Sequence, residues 1–150
     1  MRKLVQRVRG EKAFTLVELM IVVTIVAILA LVAIPLYSQQ TIGAAMSEGV
    51  AGCGTIQTAL RAYYSQNGNY TGVTLATLQN AGYLGTTDLN GNNFNNGSYV
   101  VAGTATGYTI TATCNGPNAT GAAQGLTYII TNTAGVIATG GTWNGATQVQ

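Results

Sequence analysis

Residues 14–36 read FTLVELMIVVTIVAILALVAIPL, 23 successive positions that carry one charge, Glu18. About 20 apolar helical residues at 1.5 Å each span the roughly 30 Å hydrocarbon layer of a bilayer, so this segment is long enough to cross a membrane. Five of the six basic residues (Arg2, Lys3, Arg7, Arg9 and Lys12) stand immediately before it. By the positive-inside rule they hold the N-terminus in the cytoplasm and place everything after Leu36 outside. A secretory signal fits poorly. Its apolar region is shorter and is followed by a small-residue cleavage site, whereas Leu31, Val32, Ile34 and Pro35 continue without such a boundary.

The charge balance sharpens this division. Charged residues make up 7% of the chain, and the formal net charge is +2. Beyond Ala13 only Arg61 opposes Glu18, Glu48 and Asp88. The basic isoelectric point therefore belongs to the first 13 residues, not to a basic domain. A surface of amides and hydroxyls with so few charges suits a subunit that packs against copies of itself, because a buried unpaired charge is costly. A low-charge secreted domain would share that composition.

Glu18 needs its own account, because an ionisable residue inside a membrane helix is a functional hypothesis by default. The run Lys12-Ala13-Phe14-Thr15-Leu16-Val17-Glu18-Leu19-Met20 resembles the processing site of type IV prepilins and pseudopilins. The resemblance implies cleavage between Ala13 and Phe14 by a membrane-embedded prepilin peptidase and N-methylation of Phe14. Ala13 stands where the family usually has Gly. It also implies that Glu18, the fifth residue after the cut, matches the N-terminal ammonium of a neighbouring subunit. Two charges that are costly alone in hydrocarbon are tolerable together. Pro35 lies at the distance from the cut where type IVa pilins carry a proline. Inside a helix it leaves the carbonyl of Leu31 without its usual donor and loosens the preceding turn. A simple membrane-helix boundary would place a proline there too.

After Leu36 the apolar period changes. Ile42, Met46, Gly49/Val50, Cys53, Ile56, Leu60 and Tyr63 recur every three or four positions, which predicts one amphipathic stripe on a helix reaching about Gln66. Gly43, Gly49, Gly52 and Gly54 weaken that helix but permit close approach of another element. Asn67-Gly68-Asn69 supplies its stop. A short helical turn is expected over 75–84, and the Asn-rich stretch 88–97 reads as a surface loop. Strands are expected at Ser98–Ala102, Tyr108–Cys114, Leu126–Thr131 and Gly135–Thr139, with Trp143 near the sheet edge.

The expected fold is α+β: a long N-terminal helix packed on a small antiparallel β-meander. The expected divisions are a cleaved leader (1–13), a membrane or filament-core half-helix (14–36), and an amphipathic half-helix (37–66) forming one domain with a loop and sheet region (67–150). Cys53 on the helix stripe and Cys114 at a strand end are the two cysteines. In an oxidising compartment they allow one disulfide, with two buried thiols as the alternative.

Chemistry is largely excluded. Without histidine there is no His-dependent triad or His metal site, and two scattered acids beyond the membrane segment make no catalytic pair. No catalytic residue, metal or cofactor is expected. With Arg61 the only cation beyond residue 13, direct nucleic-acid binding is not expected either. The resemblance implies a structural filament subunit, a major or abundant pilin. Its partners would be itself, the prepilin peptidase, the inner membrane before assembly, and the pilus assembly machinery (an inner-membrane platform and, indirectly, an assembly ATPase). A pseudopilin of a secretion or competence system, or a membrane-anchored binding domain that never polymerises, are the alternatives.

Overall fold

The computed structural model describes residues 14–119, 123–134, 136–137 and 142–144. The expected leader, 1–13 with Ala13, lies outside them, as do parts of the expected strand 135–139. Helix α1 runs Leu16–Asn67 without a break at Pro35. The chain divides into two compact units, 1–37 and 38–150.

In the first unit the apolar side chains of α1 stand exposed, from Leu16 and Val17 through Ile34 and Leu36. By length and composition this helix can cross a membrane. Among the described residues no core covers these side chains.

In the second unit Ala45, Gly49, Cys53, Ile56, Ala59 and Leu60 form the buried stripe of α1. At the ambiguous position 49/50 the glycine is buried and Val50 is exposed. After the Gly68 turn (φ 71°), helix α2 occupies Leu75–Asn80. It starts at a capping box in which Thr74 and Thr77 exchange backbone and side-chain hydrogen bonds.

A three-residue 3₁₀ turn, Asn96–Ser98, leads into β1 (Tyr99–Gly103), followed by β2 (Gly107–Thr113) and β3 (Thr127–Thr133). These three pair antiparallel in sequence order, Tyr99 opposite Ala112 and Ile110 opposite Ile130. Two short strands, β4 (Val136–Ile137) and β5 (Thr142–Asn144), share the far edge of β3. Alternation fixes the sheet's inner face: Tyr99 and Val101, Tyr108, Ile110 and Ala112, and Tyr128 and Ile130 are all buried. Trp143 sits opposite Tyr128, ring centroids 4.9 Å apart. The α+β fold expected from the sequence is present.

The stretch 88–97 is not a plain surface loop. Leu89 is buried, and Phe94 is the largest side chain fully removed from solvent. An Asn-rich composition signals turns, but it does not reveal that one aromatic among the turns plugs the core.

Candidate functional site

At the head of α1, Thr15 and Glu18 form a capping box. The Glu18 carboxylate accepts from the Thr15 backbone N–H (3.0 Å) and hydroxyl (2.9 Å), while the Thr15 hydroxyl oxygen accepts from the Glu18 N–H (3.2 Å). This satisfies donors that a helix N-terminus otherwise leaves open. The spacing Thr-x-x-Glu is the signal for it, and it lies inside the run that resembles a prepilin processing site. Glu18 is thereby held one turn from Phe14, beside the point where cleavage would create a new N-terminus. Phe14 is itself exposed.

Deeper in the second unit the helix side chain Glu48 reaches the stretch 88–97. Its oxygens accept from the Asn93 backbone N–H at 2.9 and 3.0 Å, from Asn93 Nδ2 at 2.9 Å and from the Phe94 N–H at 3.0 Å. Asn93 passes the connection on. Its carbonyl accepts from Gly116 N–H at 2.8 Å and from the Cys114 thiol at 3.6 Å. One asparagine therefore ties α1 to the segment that follows β2.

The helix makes room for this junction by omitting side chains. A Cβ on Gly49 would stand 2.7 Å from Cζ of Phe94, and one on Gly52 would overlap the Tyr99 hydroxyl. Gly43 and Gly54 face open space. Two of the four helix glycines thus serve close contact, Gly49 with the 88–97 stretch and Gly52 with β1. The Phe94 and Tyr99 rings lie 5.7 Å apart between the helix and the sheet.

Cys53 and Cys114 are both fully buried and both free, so the expected disulfide is absent from this structure. The Cys114 S–H is directed at the Asn93 carbonyl. Burial pushes the Cys53 thiol up to about 12 and raises Cys114 as well, where the Glu48 charge adds to the effect. The thiolate is the species that forms disulfides, and it is suppressed here. Burial likewise raises the Tyr99 phenol, with the nearby thiols and Glu48 contributing.

Among the described residues no group of three or more His, Cys, Asp or Glu side chains could hold a metal. The geometry is that of a packing junction and a capped apolar helix.

Residues 8–34 match the family described as the prokaryotic N-terminal methylation motif. Residues 35–127 match the family described as type IV minor pilin ComP, DNA uptake sequence receptor. The fimbrial protein EcpC of Eikenella corrodens is 36% identical over 124 residues, spanning 83% of this chain and 76% of that protein. A fimbrial protein of Neisseria meningitidis serogroup A is 38% identical over 81 residues, 54% of this chain and 45% of its own length. The type IV major pilin protein PilE1 of Neisseria gonorrhoeae is 43% identical over 60 residues, 40% of this chain and 36% of its own. The chain thus spans less than half of these two Neisseria proteins. No solved structure matches it. The chain belongs to the type IV pilin family.

Proposed function

We propose that this chain is a structural filament subunit of a type IV pilus. It is inserted in the inner membrane with its N-terminus cytoplasmic, cut between Ala13 and Phe14, N-methylated on Phe14 and polymerised through its apolar helix. The observation that carries this is the exposed apolar half of α1 capped by Thr15 and Glu18, lying within the match to the methylation motif. A helix with no core of its own to cover it needs either lipid or copies of itself. Before assembly lipid serves, and in a filament the copies do. Glu18 and Pro35 are assigned to assembly, Glu18 as the charge beside the processed N-terminus and Pro35 as the point where the helix ladder lacks a donor.

Mass spectrometry of the mature protein tests the reading together with electron microscopy of sheared surface fractions. N-methyl-Phe14 at the N-terminus and filaments containing this chain are the expected results. A mature protein that keeps Met1, or sheared fractions without the chain, would sink it.

A second reading, a minor pilin that contacts DNA, is favoured by the description of the family matched over 35–127. Against it stands the charge count, with Arg61 the one cation beyond residue 13. A gel shift with duplex DNA across a salt series separates the two. A retained complex would move the chain to the minor, receptor role.

A further inference from the structure

Two of the three acidic side chains beyond residue 13, Glu48 and Asp88, line one pocket of about 180 Å³ that Thr55 and Tyr99 also border. Glu48 is occupied by Asn93 and Phe94. Asp88 is exposed, and its Oδ2 accepts from the Gly85 N–H at 2.7 Å. Among the described residues no donor meets Oδ1.

The only cation among the described residues is Arg61, which is exposed and forms no ion pair with any of them. Its charge is felt by Tyr70 and Tyr108, phenols that are neutral near pH 7. Arg61 stands 13 positions beyond Glu48 on the same helix. That places it roughly 20 Å further along and about 140° around the axis. The cation and the acidic pocket of one chain therefore face different directions.

That separation constrains how copies can meet. A two-fold contact uses one surface patch on both copies, so it could pair Arg61 with the pocket only if both lay on that patch, and about 140° apart around α1 they do not. A head-to-tail contact lays one on the other, and repeated without closure it generates a helical filament. We propose that Arg61 of one subunit enters the Glu48/Asp88 pocket of the next, with Asp88 as its carboxylate partner. The inference rests on the filament-subunit reading and names the contact that gives the filament its direction. An exposed ion pair is weak alone, but this one recurs at every subunit. Beyond residue 13 the sequence holds no competing side-chain cation.

The test uses the full-length chain in a piliated host, with prepilin abundance in membranes measured alongside filament yield. Asp88→Asn keeps an acceptor for Gly85 while removing the charge. It and Arg61→Gln are each expected to lower filament yield by about two- to fivefold at unchanged prepilin level. The reversed pair, Arg61→Glu with Asp88→Lys, is expected to assemble better than either reversal alone. In the filaments that Arg61→Cys with Asp88→Cys still forms, a mild oxidant should cross-link a ladder of oligomers, which neither single cysteine gives. A reversed pair no better than its single members, or no ladder, overturns the contact while leaving the filament reading intact. Normal assembly of Arg61→Gln together with chelator-sensitive filaments would assign the pocket to a metal cation instead, and so overturn it. Absence of filaments from the unaltered chain would overturn both readings.

Discussion

Glu48 and Asn93, 45 positions apart, are joined by three hydrogen bonds, two from the asparagine backbone N–H and one from its side-chain amide. With the Phe94 N–H as a further donor, one helix carboxylate fixes the turn that seats the Phe94 ring. Charge-assisted hydrogen bonds of this kind are the stronger class.

Glu48→Ala should lower stability by about 2–4 kcal/mol, because it strands two partly buried backbone N–H groups and removes the acceptor they were built around. Glu48→Gln should cost less, since its amide oxygen still accepts. Thermal melts of detergent-solubilised full-length protein check the order. Equal stability of all three proteins would refute the role.

The helix glycines should divide by what they face. Gly52→Ala is expected to destabilise by about 1–3 kcal/mol, since its Cβ collides with the Tyr99 ring. Gly54→Ala, in open space, should stabilise by roughly 0.5–1 kcal/mol through helix propensity. Denaturant unfolding of the two variants side by side reads the difference in sign.

The buried thiols predict a loss of stability in alkali. Both cysteines have folded pKa values above the ordinary thiol range. Their contribution is complete below about pH 8.5 and declines as pH rises, because the unfolded chain releases protons the folded one retains. For Cys53 the loss continues to about pH 12, at no more than about 1.4 kcal/mol per pH unit for each group. In the native protein at pH 8, a thiol reagent should label neither cysteine, and in denaturant both. Rapid native labelling would contradict the burial.

Thr15 and Glu18 allow the cap to be separated from the charge. Glu18→Gln preserves a capping-box residue and removes the carboxylate, whereas Thr15→Ala removes the N-cap at about 1 kcal/mol of helix stability and keeps the carboxylate. If charge beside the processed N-terminus governs assembly, Glu18→Gln should lose filaments and Thr15→Ala largely retain them, with processing of both followed by immunoblot. The reverse pattern would assign Glu18 to capping alone.

The elements dictated by local pattern were legible in the sequence. The apolar run 14–36, the stripe ending at Leu60 and Tyr63, and the alternation Tyr108–Ile110–Ala112 each follow from a period in neighbouring residues. Thr15 and Glu18 were legible too, as a Thr-x-x-Glu cap, although the stronger meaning of Glu18 as a membrane carboxylate hid it. The junction was not legible. Nothing near Glu48 announces Asn93, and nothing in an Asn-rich stretch says that Phe94 goes inward. Such contacts follow from the path of the chain rather than from local preference. The cysteines show the same limit, since shared burial at Cys53 and Cys114 did not require a bond between them.

The Glu48–Asn93 junction also has a mechanical side. A filament that is pulled transmits its load through the long helix, and a globular region hung from that helix must resist being peeled away. Here the bonds from Glu48 to the backbone of Asn93 and Phe94 converge on one carboxylate. They share the load and rupture together rather than one after another. Together with the buried stripe from Ala45 to Leu60, that junction should hold the folded region to its helix until both give way.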